Sequence, residues 1–190
     1  MRGSSRRPAR EAILRALYEI EVGHTPTDAA IEDTLEHAEL EPELAEFARA
    51  AIKGVLAHLN ALDGALAQSL RDWDLSRVAT VDRNILRLAA YELFHCPPIP
   101  PAVTINEAVD LAKKYSTAES GRFVNGVLGN LLERTPKHEW DPASAPPDER
   151  VGAAAPEPEP EVETVTEDSE EAQELARAGL WTVRKEETPQ

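Results

Sequence analysis

The stretch Gly121-Arg122-Phe123-Val124-Asn125-Gly126-Val127-Leu128-Gly129 combines side chains suited to reading a nucleic acid. A guanidinium contacts phosphate, an aromatic ring stacks on a base, and an amide hydrogen-bonds a base edge. Lys113, Lys114 and Tyr115 come just before it and add positive charge and a second ring. At the other end, Arg6, Arg7 and Arg10 open a chain whose formal net charge is -15. A basic cluster on an acidic protein suits a polyanion met at one place and disfavours non-specific attraction to nucleic acid. The bland alternatives are a solvated arm for the arginines and tight helix packing for the glycines. Each glycine costs about 1 kcal/mol relative to alanine inside a helix, so three of them call for a close neighbour or an approaching ligand.

Catalytic chemistry needs converging reactive groups, and this sequence offers none. His24, His37, His58, His95 and His138 are scattered, with no pair at i, i+4. His138-Glu139 lacks the second histidine of a zinc-protease helix. There is no phosphate-binding glycine loop and no nucleophile elbow. The carboxylates Glu32, Asp33, Glu36, Glu39, Glu41, Glu43 and Glu46 read as a solvated face. A non-enzyme without cofactor or metal is expected.

The elements that must position these side chains read as helices. Pro8 suits a first turn, and Ala9, Ala12, Ile13, Ala16, Leu17 and Ile20 share one face up to a stop at Gly23. Thr25-Pro26-Thr27-Asp28 predicts a second helix, with Thr25 as N-cap, running to about His37. From Pro42, a stripe from Leu44 through Ile52, Val55 and Leu59 to Leu66 predicts one long helix, the spine of the fold. Arg71 to Ser76 is a connector containing Trp73. Val81, Ile85, Leu88, Ala89 and Leu93 mark a helix ended by Pro97-Pro98 and Pro100-Pro101. Thr104 with Glu107 and Ser116 with Glu119 have capping-box spacing, predicting helices over about 105–114 and 117–134. Period-2 alternation is almost absent, so the expected fold is all-α, with about seven helices and short loops forcing antiparallel neighbours.

The chain changes character near Pro136. Residues 1–136 hold 15 Lys+Arg against 20 Asp+Glu, and residues 137–190 hold 5 against 15. The expected organisation is therefore a helical domain over 1–136 and a Pro/Glu-rich acidic tail over 137–190, mostly disordered. Within the tail, Ala172, Leu175, Ala176 and Leu180 give a thin helical stripe beside Trp181. A sharper expectation is that Glu157 to Glu174 mimics RNA and folds back on the basic patch. Cys96 is the single cysteine, so no intrachain disulfide forms, which fits a reducing cytoplasm, and its place at an apolar helix end predicts a packed, inert thiol. The basic start leads into an amphipathic stretch, not a signal peptide, and no apolar run is long enough to cross a bilayer.

Four blocks in order carry a resemblance. They are the Arg-rich start with Ala16-Leu17-Tyr18; Val81-Asp82-Arg83-x-Ile85-Leu86-Arg87-Leu88-Ala89-x-Tyr91-Glu92-Leu93; Ile105-Asn106-Glu107-Ala108-Val109-x-Leu111-Ala112-Lys113; and Phe123-Val124-Asn125-Gly126-Val127-Leu128. Over about residues 6–134 the chain resembles the NusB transcription antitermination family. The resemblance implies two packed three-helix subdomains plus one further helix. It implies binding of single-stranded boxA RNA together with NusE, a small-subunit ribosomal protein, within an RNA polymerase antitermination complex that acts on ribosomal RNA operons. Carried over by position, Arg6, Arg7 and Arg10 would contact phosphates, and Tyr18, Lys114, Arg122, Phe123 and Asn125 would complete the RNA surface. Asp82, Arg83 and Glu92 would face NusE, and Glu119 occupies a position associated with tuning the interaction.

From spacing alone, Arg7, Leu14 and Tyr18 share one flank of the first helix, with Arg7 and Tyr18 about 16 Å apart. That suits a strand laid along the helix, although Tyr18 fits the rim of a core equally well. Competing readings are a protein-only scaffold and the RNA-binding module of a ribosomal RNA methyltransferase. The latter requires a following glycine-rich cofactor domain where this chain has its acidic tail. A homodimer is compatible with the same helices.

Overall fold

The computed structural model describes residues 6–70 and 74–141. Trp73 and the tail beyond Asp141, including the stripe to Leu180 and the segment Glu157 to Glu174, lie outside the described residues. Seven α-helices follow in order: α1 (Arg7–Val22), α2 (Thr27–Ala38), α3 (Pro42–Ala57), α4 (Leu59–Ser69), α5 (Thr80–His95), α6 (Pro101–Tyr115) and α7 (Ser120–Leu132). A 3-10 turn, Leu75–Arg77, leads into α5, and no strand occurs among the described residues. Helices α1–α3 pack as one group and α5–α7 as another, with α4 against α5 and α7.

Prolines set the starts. Pro8, Pro42 and Pro101 sit in the first turns of α1, α3 and α6, where a missing N–H costs nothing. The second helix begins one residue later than Thr25 as N-cap predicts. Pro26 holds the N-cap position, and Thr25 instead donates its backbone N–H to the Glu19 carbonyl.

The long stripe from Leu44 to Leu66 belongs to two helices, not one. The backbone breaks at His58 (φ -108°, ψ 12°), whose N–H and Nδ1 both engage the Gly54 carbonyl. The spine is α5, which touches α1, α3, α4, α6 and α7 and is buried at every position from Asn84 to Ala90. Close approach to α3 depends on Gly54, where a Cβ would stand 2.2 Å from the Tyr91 ring.

Neither expected capping box forms, and one of their members, Thr104, makes a tertiary bond instead. Pro101 starts α6 a turn early, so Thr104 lies inside the helix and its hydroxyl donates to Glu92 at 2.8 Å. In α7 the first residue is Ser120, whose hydroxyl donates to Asp82 at 2.8 Å.

A half-buried polar network joins the two groups. Glu21 on α1 accepts from Arg83 (2.7 Å), Asn84 (2.9 Å) and Arg87 (3.1 Å), and Arg87 also makes two 2.7 Å bonds to Asp63 on α4. Burial works against the Glu21 carboxylate, but the Arg83 bond and the Arg87 charge outweigh it and hold its pKa below the usual range.

The ordered chain continues past Pro136. Lys137 is buried, and its Nζ donates to the carbonyls of Cys96, at 2.6 Å, and Ile99. Burial pushes the Lys137 ammonium down to about 8 and the neighbouring Cys96 thiol up to about 11, which accords with an inert thiol. Below pH 8 the lysine is charged in both folded and unfolded chains. Between about 8 and its ordinary value of 10.5 the unfolded chain keeps a proton that the folded chain has lost, so raising the pH stabilises the fold. Cys96 gives the opposite slope above its ordinary value of 9.0. Urea midpoints from pH 7 to 10 are therefore expected to rise in the native chain relative to Lys137→Met. Parallel profiles would show that Lys137 is hydrated in solution.

Candidate nucleic-acid interface

The three opening arginines meet protein groups first. The Arg6 guanidinium carbon lies 5.1 Å from the centre of the Phe47 ring on α3. Arg7 is half-exposed and makes bonds of 2.9 and 3.2 Å to Glu107, plus a contact with Asp110, both on α6. Its bond to Glu107 outweighs partial burial and raises its pKa further above the ordinary arginine value.

Arg10 is buried, 3% exposed, and grips Glu92 through two bonds of 2.8 and 3.0 Å. Burial opposes its charge, and the adjacent Glu92 more than restores it. Glu92 is itself only 1% exposed and also accepts from Thr104. This corrects the expectation for both residues, since neither Arg10 as a phosphate contact nor Glu92 as a partner contact stands at a surface. The physical reason is helical phase. Arg10, Leu14 and Leu17 fall on the inward face of α1, so the guanidinium enters the core and needs a carboxylate there.

The other residues expected at a partner surface divide. Asp82 is buried at the start of α5, with one oxygen on Ser120 and the other without a hydrogen-bond partner. Arg83 is half-buried and held by Glu21 and the Val78 carbonyl at 2.9 Å. Glu119 is exposed at the N-cap position of α7, and its side chain makes no cap bond.

The exposed cationic and aromatic groups gather elsewhere. Lys114 bonds Glu11 at 2.7 Å, and its Nζ lies 4.9 Å from the centre of the Tyr115 ring. Tyr115 donates its hydroxyl to the same Glu11 at 2.8 Å. Lys113 is exposed, and its stem lies over Gly121, where a Cβ would stand 3.0 Å from Lys113 Cγ. The last turn of α6 therefore links the flank of α1 to the start of α7.

On α7, Arg122 and Asn125 are exposed, and Phe123 is half-buried against the core. Arg122, Phe123, Gly126 and Asn130 line an open groove with Ser69 and Leu70 at the end of α4. Of the three glycines in this helix, only Gly121 has a close neighbour. A Cβ at Gly126 or Gly129 would meet nothing within 4 Å. Packing among the described residues thus accounts for Gly121 alone, while Gly126 leaves the floor of the groove low beside Phe123.

Chemically, this surface can neutralise phosphate at Arg122, stack a base on Phe123, and hydrogen-bond through Asn125, with the exposed Lys113 over Gly121 at the start of the same helix. Among the described residues no group of three or more His, Cys, Asp or Glu side chains is placed to hold a metal. Arg15 was not among the expected site residues. It is exposed on the flank of α1 that also carries Glu11 and Tyr18. Its spacing, four residues after Glu11 and three before Tyr18, was the available signal.

A model of the NusB family matches residues 7–133. The transcription antitermination protein NusB of Desulforamulus reducens is 42% identical over 128 residues, covering 67% of this chain and 90% of that protein. Its Bacillus subtilis counterpart is 44% identical over 126 residues, covering 66% and 93%. A solved structure of T. maritima NusB superposes with a TM-score of 0.67 at 37% identity, over 72% of this chain and 97% of that one. A structure of antitermination factors NusB and NusE in complex with double-stranded RNA gives 0.63 at 26% identity, over 68% and 96%.

Proposed function

The chain belongs to the NusB family of transcription antitermination factors, which is non-catalytic, and from that premise we propose that it binds single-stranded boxA RNA together with NusE. In that role it supports RNA polymerase processivity on ribosomal RNA operons, in a cytoplasmic setting. No helix among the described residues is long and apolar enough to cross a membrane. The observation that carries the proposal is the α7 surface, where exposed Arg122 and the half-buried Phe123 line one open groove and exposed Asn125 lies on the same helix. The related NusB–NusE structure contains double-stranded RNA. The single-stranded preference proposed here rests on Phe123, because a ring can stack only on a base that is splayed out.

The engagement of Arg7 and Arg10 by carboxylates favours a second reading, a scaffold that recognises protein alone. A titration of fluorescently labelled boxA-like RNA, with and without NusE, separates the two. Weak binding by the protein alone, tightened by NusE and falling as salt is added, is expected. Absence of RNA binding in both arms, with NusE still bound, would leave the scaffold.

A further inference from the structure

Two of the histidines that lie scattered in the sequence meet in the fold. His58 stands at the break between α3 and α4, and His95 is the last residue of α5. Their ring centres are 4.1 Å apart, their planes are 33° from parallel, and both residues are exposed. The Tyr91 ring, seated over Gly54, stacks on His95 at 5.2 Å. His58 Nδ1 lies 2.8 Å from the Gly54 carbonyl. A carbonyl only accepts, so this nitrogen carries the proton and Nε2 keeps its lone pair. A metal-ligating histidine donates its other N–H in this way, which fixes both tautomer and ring. No hydrogen bond among the described residues engages the His95 ring. Partial burial and the neighbouring His58 hold the His95 pKa below its ordinary value, so near pH 7 the ring is mostly neutral, the form that binds a metal.

We infer that His58 and His95 form a two-histidine site for a divalent transition-metal ion, which ties the α3–α4 break to the end of α5. Imidazole suits zinc, copper and nickel, and geometry and supply decide among them. Metal–nitrogen bonds of about 2.0–2.1 Å put the centres of two imidazoles on adjacent positions about 4.5–5 Å apart. The pair therefore has to open by less than about 1 Å, a small shift for exposed side chains. His95 closes α5, whose last carbonyls favour a cation, while at His58 the end of α3 and the start of α4 offset each other. Two protein ligands leave the remaining positions to water, so the site is open and its affinity modest. The ion links a helix of the α1–α3 group to the central helix of the α5–α7 group, and its binding does not depend on the RNA role proposed above.

The test uses the full chain without a histidine tag, stripped of metal and titrated with Zn2+ by calorimetry. A second sample carries one equivalent of Cu2+ for electron paramagnetic resonance. His58→Gln and His95→Gln are each expected to weaken Zn2+ binding at least about tenfold. His37→Gln removes a lone exposed histidine and is expected to leave it unchanged. Saturating Zn2+ is expected to raise the melting temperature of the native chain by about 5 °C or more, and that of His58→Gln and His95→Gln by less. Melting temperatures without metal verify that the variants are folded. The Cu2+ spectrum of the native chain is expected to show coupling to two imidazole nitrogens, a readout that needs no variant. If His95→Gln binds Zn2+ as tightly as the native chain, or the native spectrum shows a single nitrogen, the pair is not a metal site. If His37→Gln weakens binding as much as His95→Gln, the ion is spread over separate histidines and the assignment is overturned. The RNA titration is unaffected by each of these outcomes, so a failure here leaves the proposed function standing.

Discussion

Replacing Glu92 with leucine is expected to destabilise the fold by about 3–5 kcal/mol, because it strands the Arg10 guanidinium in the core. Arg10 and Glu92 are almost fully buried, and the pair is bidentate. Thr104 also loses the acceptor of its hydroxyl. A loss of this size is a large share of the roughly 5–15 kcal/mol that holds a typical domain together, so the single variant is expected to be partly unfolded at ambient temperature. The double variant Arg10→Met with Glu92→Leu removes both charges and is expected to recover most of the loss, since apolar replacements of buried ion pairs are often neutral. Urea denaturation of the native chain, both single variants and the double variant checks this. A cost below about 1 kcal/mol for Glu92→Leu would mean that water reaches the pair.

That result bears on how the N-terminal arginines are tested. Pooled replacement of Arg6, Arg7 and Arg10 would weaken RNA binding through lost stability whatever the surface does. Arg7 is the member of the pair Arg7–Arg10 whose guanidinium reaches solvent. Its contacts with Glu107 and Asp110 compete with any phosphate, so its contribution to RNA affinity is expected to be smaller than that of Arg122.

Phe123→Leu is expected to weaken RNA binding by about 1–3 kcal/mol, or roughly 5- to 150-fold, the usual worth of a base stacked on an aromatic side chain. Leucine is chosen over alanine because the half-buried ring also packs on the core, and an aliphatic side chain preserves most of that contact. The salt slope is expected to stay constant, since no counterion is released by a stacking contact. Arg122→Gln is expected to do the reverse, with a modest loss of affinity and a shallower slope. Anisotropy at three salt concentrations, with a thermal melt of each variant, separates the two effects. Equal affinity of Phe123→Leu and the native chain would remove Phe123 from the RNA surface.

Much of the helical layout was legible in local signals. Pro8 and Gly23 bound α1, and the run from Pro97 to Pro101 separates α5 from α6, because these residues constrain the backbone wherever they stand. The break at His58 was not legible. Leu59, Leu62 and Leu66 keep the apolar stripe in phase across the bend, so periodicity cannot register it. The capping boxes misled for a related reason. A hydroxyl and a carboxylate three residues apart satisfy the same pattern whether they bond the helix end or a distant helix. Thr104 bonds the distant Glu92, while Ser116 meets the Ser120 hydroxyl one turn on, at 3.0 Å, and Glu119 makes no cap bond.

For the interface, the sequence by itself determined the family, the helical class and the chemistry of the Arg122–Asn125 stretch, because residue type and short spacing carry all three. Only the tertiary structure decided which charges remain for a ligand. Arg7 and Arg10 look alike in sequence, yet one reaches solvent beside Glu107 and Asp110 and the other is sealed against Glu92. Their partners lie 100, 103 and 82 residues away. Charge is a property of the residue, but the free charge left after pairing depends on which distant helices the fold brings together. That is why Arg15, unremarked in the sequence, stands open in a groove while Arg10 is spent in the core.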